Sequence, residues 1–214
     1  MQKEVNNFIK GNRKPTQTDY VLAKAYYPLL IDIAKNQQEV TFQQFVENAK
    51  SQYTQIKEVQ NAIPVTTGRR FEYIRIFTTR EKLPDLSAWI VSKSGANSEA
   101  YLADFNPSLE REQTAKIDWE SYNEKWEQYL DKLNKETQLL KKRKKEEALE
   151  LMSKHAKSLE DKIKTDVLNP KKLKYFDLVK PFRKPILQDV IDGKDIEDAF
   201  NDAIFDLTKS RSAK

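Results

Sequence analysis

Cysteine is absent from this 214-residue chain, histidine occurs once, and glycine occurs four times. Each scarcity removes a class of chemistry. Without cysteine there is no disulfide, no thiolate nucleophile, no iron–sulfur cluster and no thiolate zinc site. His155 alone cannot make a metal-binding histidine pair within one chain. The glycines (Gly11, Gly68, Gly95 and Gly193) form neither a GxGxxG nor a GxxxxGK pattern, so no Rossmann or P-loop phosphate cradle is encoded. A Mg²⁺ site made of carboxylates alone is the one metal chemistry left open. No apolar run approaches the roughly 20 residues of a membrane span, and Met1 to Lys10 lack an apolar signal-peptide core. These absences predict a cytoplasmic, non-enzymatic chain with no cofactor, no metal and no membrane partner.

What the chain has is charge. Charged residues make up 33% and hydrophobic ones 38%, against about 25% and 45–50% (glycine counted) in an ordinary domain. With a mean hydropathy of −0.79, that balance suits a mostly helical, well-solvated α+β chain. Its length allows one large domain or two small ones. The net charge of +5 hides local asymmetry. Lys141, Lys142, Arg143, Lys144 and Lys145 form one basic block, and Lys171 to Lys184 form a second, interleaved with Tyr175, Phe176 and Phe182. Between Asp189 and Asp206 the sign reverses, with Lys194 the only cation. A basic body with an acidic end fits a polyanion partner, the acids limiting non-specific binding or docking elsewhere. A set of solvated helix faces would carry the same charges.

The first half reads as short alternating elements. Asp19 is placed to cap a helix carrying Leu22, Tyr26, Leu29, Leu30, Ile33 and Ala34, with Pro28 inside it. Glu39-Val40-Thr41 is a short extended piece, and Thr41 can cap a helix bearing Phe42, Phe45, Val46 and Ala49. A third helix is predicted from Arg69 to Glu81. Two β-like runs, Ser87–Ser92 and Glu99–Ala103, flank Ser94-Gly95-Ala96-Asn97, a hairpin signal. Helix, strand, helix, helix, strand, turn, strand is the order of a winged helix, with the third helix as groove reader and the hairpin as wing. Arg69 and Arg70, with Arg75 secondary, would then contact DNA by the guanidinium fork, and Lys93 would do so from the wing. On an ordinary surface the same arginines would pair with Glu72, Glu81 or Asp85.

Thr41-Phe42-Gln43-Gln44-Phe45, Thr67-Gly68-Arg69-Arg70-Phe71 and Leu83-Pro84-Asp85-Leu86-Ser87 through Lys93 carry a further signal. Together they resemble a small domain of bacterial phage, mobile-element and restriction-associated proteins. The resemblance spans about residues 20 to 105 and implies a winged-helix-like module, often of unassigned function, with no catalytic motif. The chain departs from that pattern at Ser92, where Asn is usual, and at Ala96-Asn97-Ser98, which replaces a glycine-rich turn.

No glycine or proline occurs between Pro107 and Pro170. Trp119, Tyr122, Trp126, Tyr129 and Leu133 step by threes and fours, and the pattern resumes with Ala148, Met152, Ala156, Leu159 and Ile163. A continuous helix from Trp119 to Lys164 would be ~70 Å long at 1.5 Å per residue. Such a helix needs an antiparallel homodimer, or it folds back as a hairpin; the aromatic start could instead pack on the preceding domain. Lys141, Lys142 and Arg143 would add nucleic-acid affinity without sequence choice. The last segment reads as a basic linker and a helical pair around Gly193, the second helix acidic and amphipathic.

The predicted layout is an arm (1–18), a winged-helix-like domain (19–107), a long helical region (108–168) and a basic linker with an acidic C-terminal helix (169–214). Enzymatic readings are weak. Pro84-Asp85 and Lys93 echo a Mg²⁺-dependent nuclease, but Val91 stands where its second acid is needed. The expected function is DNA binding, as a regulator or architectural factor of a phage, plasmid or other mobile element, with double-stranded DNA as partner. The alternative is an interaction module that docks on a host enzyme or defence complex to inhibit or adapt it.

Overall fold

Thr16 rather than Asp19 caps the first helix, α1 (Gln17–Lys35). Its hydroxyl accepts from the Asp19 amide, and the Asp19 carboxylate accepts from the Thr16 amide and hydroxyl, a reciprocal capping box. Pro28 is tolerated because it and Lys24 lie on the exposed face, where the Lys24 carbonyl left without its helical donor meets water. The structure is a computed structural model and describes residues 15–97, 99–102, 105–165 and 180–211. The predicted arm up to residue 14 and the basic, aromatic stretch around Lys171, Tyr175 and Phe176 lie outside them.

Thr41 ends strand β1 (Val40–Thr41) and caps α2 (Phe42–Gln52), with Gln44 closing a second capping box. Phe45, Val46 and Ala49 of α2 are buried against Tyr26 and its neighbours on α1. After the single turn α3 (Lys57–Gln60), the helix expected at 69–81 is two helices, α4 (Pro64–Arg70) and α5 (Glu72–Arg80), meeting at Phe71. Pro64 sets the start of α4 because its missing N–H would be unpaired there anyway.

The predicted wing is not built as a hairpin. Asp85 accepts from the Ser87 amide and hydroxyl and starts a 3-10 turn, Leu86–Trp89, over half of the expected strand. Strand β2 (Ile90–Val91) then pairs in parallel with β1, Val40 opposite Ile90. At the end of the expected turn, the Asn97 side-chain amide donates to the carbonyls of Ala88 and Ile90. Glu99–Leu102 is a helical turn, α6, followed by α7 (Pro107–Thr114).

Nor is there one long helix after Pro107. A 3-10 turn (Trp119–Tyr122) leads into α8 (Asn123–Gln138), the chain turns at 139–144, and α9 follows (Lys145–Thr165). The aromatic seam is covered neither by α9 nor by a second chain: it lies on α1 and α5. Trp126 stacks on Tyr27 at 4.1 Å and meets Phe77 edge-on at 5.0 Å, while the Tyr129 hydroxyl donates to the Tyr73 carbonyl. Trp119 and Leu133 are buried in the same core, with Tyr122 packed at its margin. The stripe that argued for a homodimer is satisfied within the chain.

A second, smaller core joins Ala148 and Met152 of α9 to α10 (Arg183–Ile191) and α11 (Ile196–Arg211) through Ile186, Val190, Ala199, Phe200 and Ala203. The chain is thus mostly helical with one two-stranded parallel sheet among the described residues. No helix among them is long and apolar enough to cross a membrane.

Candidate functional site

Between the two cores lies a buried layer of charge, and α4 supplies its cations. Arg70 is 3% exposed and donates to Asp19 and, at 3.0 Å, to Asp189. Arg69, its side chain 6% exposed, reaches Asp189 at 3.2 Å and Asp202 at 2.7 Å. Lys194 donates to Asp202 at 2.5 Å. Beside this group, Asp192 accepts from the amide and hydroxyl of Thr18, and from the Gln188 amide. Three cations therefore meet three carboxylates in one network that ties α1 and α4 to α10 and α11.

Burial alone would raise the pKa of Asp19 and Asp189. The guanidiniums of Arg70 and Arg69 and the ammonium of Lys194 overcome it and hold both carboxyls below the ordinary range. Arg70, despite burial, is held more firmly charged by Asp189 and Asp19. Asp192 goes the other way: burial raises it, and the bonds from Thr18 and Gln188 offset only part of that.

The arginines expected on a DNA-reading surface are therefore interior. Nη1 of Arg69 and both Nη atoms of Arg70 donate to acids 51 to 133 residues away, so neither can fork onto a base while the network stands. Arg75 is also engaged. Its Nε donates to Asp85 at 2.9 Å and its Nη2 to the Ser87 hydroxyl at 2.7 Å, and its guanidinium lies over the Tyr101 ring. Lys93 is exposed in the turn after β2.

The basic block divides by role. Lys141, Lys142 and Lys144 are exposed on the turn between α8 and α9, and Lys145 is exposed at the start of α9. Arg143 faces inward: its amide donates to the Ile191 carbonyl, and its guanidinium to the carbonyls of Val190 and Lys194. One inward arginine thus fixes a turn that displays three lysines, with a fourth on the helix that follows.

Asp19, Asp189, Asp192, Lys194 and Asp202 were not among the residues expected at a site. A signal for two of them was present. Asp189 and Asp202 each follow a core residue, Ile186 or Ala199, by three positions, which puts them on the buried face of their helices. Against family models, curated proteins and solved structures, the chain matches none. Function is therefore argued from geometry.

Proposed function

We propose that this protein is a non-enzymatic DNA-binding factor that grips the phosphate backbone through Lys141, Lys142, Lys144 and Lys145. One observation carries the reading: three of these lysines are exposed on a turn that Arg143 holds in place, and Lys145 is exposed at the start of the helix that follows it. Backbone contact of this kind gives affinity without sequence choice, as suits an architectural or regulatory factor of a mobile element. A winged-helix-like mode, with Arg69 and Arg70 on the reading helix and Lys93 on a wing, requires the arginines first to leave their carboxylates.

The test is fluorescence anisotropy with a random 20-base-pair duplex at about 50 and 200 mM salt. Replacing the four lysines by Ala should weaken binding at least tenfold at the lower salt. It should also flatten the salt dependence by two to four, at about 0.9 per phosphate lost. Equal affinity and slope in a folded variant would exclude the reading.

The interaction-module reading draws on Leu139, which is 85% exposed beside these lysines. A protein target with an apolar pocket in an acidic surface would match that pairing. Leu139→Ser should then abolish capture of the target while leaving DNA affinity unchanged.

A further inference from the structure

We propose that Arg69 and Arg70 form a latent phosphate-binding pair, closed here by Asp189 and Asp202 standing where the phosphates of a nucleic acid would sit. The inference rests on the DNA-binding reading and deepens it, since it adds a second contact site under the control of the C-terminal helices.

The chemistry of the closed state is that of anion capture. Asp189 receives Arg70 on one oxygen and Arg69 on the other, and Asp202 joins Arg69 to Lys194. Carboxylate and phosphate present similar oxygen pairs to a guanidinium fork, and arginine binds either in the same way. Arg70 also keeps a second partner on its own side of the seam, Asp19 of α1. On opening, that bond would still hold the side chain in place.

The acids belong to the other core. They lie on α10 and α11, whose described apolar side chains pack with α9, and Val65 of α4 packs against that cluster. Among the described side chains the bonds across the seam are polar: the ion network, Thr18 on Asp192, and Arg143 on the carbonyls of Val190 and Lys194. Taking charges out of water costs about as much as their pairing returns. A seam closed mainly by charge can therefore be opened by a competing polyanion, whereas one closed by apolar area cannot.

Gly193 couples the seam to the lysine turn. It has φ +100, and a Cβ built there would lie 2.7 Å from the Lys141 carbonyl oxygen and 2.9 Å from Leu140 Cβ. The α10–α11 turn is seated directly on the backbone of the turn that displays the lysines. A duplex drawn to Lys141 and Lys142 would arrive at the edge of the closed seam.

The experiment uses the full chain and the same 20-base-pair duplex. Gly193→Ala strains the backbone and collides with residue 141, so it should unseat the helix pair without removing a charge. We expect binding about tenfold tighter than wild type, with a salt slope steeper by about two. Adding Arg69→Gln and Arg70→Gln should abolish that gain. Because the chain has no cysteine, Thr18→Cys with Asp192→Cys supplies a second test across the same seam. Its oxidised form should bind about tenfold more weakly than its reduced form. A folded Gly193→Ala variant that binds like wild type, or a gain that survives loss of both arginines, would overturn the proposal. If Gly193→Ala does not fold, the oxidised and reduced forms decide, and equal binding by the two would overturn it. The lysine reading fails separately, through an unchanged four-lysine variant, and the gain on opening is scored independently of it.

Discussion

The two cores of this molecule are held by different physics. The larger one, built from α1, α2, α5 and α8, is closed by large side chains, among them Tyr26, Phe45, Phe71, Phe77, Trp119 and Trp126, all buried. The smaller one, built from α9, α10 and α11, has its own apolar residues but meets the larger through carboxylates, guanidiniums and hydroxyls. Apolar burial is non-directional and large, whereas a buried ion network is directional and close to neutral in net free energy. The first fixes a body. The second fixes an orientation, and it is the one a change of solvent or ligand can undo.

The largest expected effect lies in the aromatic core. Trp126→Ala should cost about 3–5 kcal/mol through lost transfer energy and a cavity, because its indole fills the space between Tyr27, Phe77 and Tyr129. Thermal unfolding should shift as one transition for the whole protein. Asp189→Ala comes next. It leaves Arg69 and Arg70 short of a counter-charge, for which about 3–5 kcal/mol is typical in a closed interior. Here opening the seam rehydrates the arginines, so the loss should sit near the lower end. Hydrogen exchange should show it in α10 and α11 while α1 and α8 keep their protection. Uniform loss of protection in both variants would mean that the two regions are one cooperative unit.

Acid should separate the regions further. Asp19 and Asp189 have folded pKa values below the unfolded value of about 3.9. Their contribution is therefore complete above that value and is lost as pH falls below it toward their folded values. Asp192 is raised, so its contribution has the opposite sign: the folded state is favoured as pH falls through its folded pKa. Two depressed carboxyls against one raised one leave a net loss. Docking of α10 and α11 should hold from neutral pH to about 5 and weaken below about 4. Calorimetry at both ends of that range checks this, and stability that rises steadily toward pH 3 would contradict it.

What could be read from the sequence divides along the same line. Thr41 as a cap, the buried face of α2, the short strand at Val40 and the helical pair around Gly193 all follow from signals a few residues long, and all are present. The strand expected at 87–92 is strand only at Ile90–Val91, because Pro84 to Val91 are all buried and apolar content could not distinguish a sheet from a 3-10 turn set by the Asp85 carboxylate. The turn at 139–144 has no glycine or proline; it is fixed by Arg143 reaching α10, a contact invisible in local pattern. The burial of Arg69 and Arg70 was missed for the same reason. Arginine on a short helix reads as a surface residue, and only the distant Asp189 and Asp202 make it an interior one. Arg75, whose partners Asp85 and Ser87 lie 10 and 12 residues away, was within reach of local reasoning.

The smallest expected effects sharpen the comparison most, because one hydroxyl can be removed from each region. Tyr129→Phe deletes the bond to the Tyr73 carbonyl but keeps the ring against Trp126 and Phe77. A neutral hydrogen bond of this kind contributes about 0.5–1.5 kcal/mol, and the surrounding apolar contacts are untouched. Thr18→Val deletes the hydroxyl that donates to Asp192 at 2.7 Å while leaving the Thr18 amide on the same oxygen. Its acceptor is a carboxyl group beside the buried ion network, and bonds to ionised acceptors are roughly twice as strong as neutral ones. Thr18→Val should therefore cost about twice as much as Tyr129→Phe, with its loss of exchange protection centred on α10 and the Gly193 turn. Equal losses, spread evenly over both regions, would show that the seam is closed by packing, and the distinction between a fixed body and a releasable helix pair would fall.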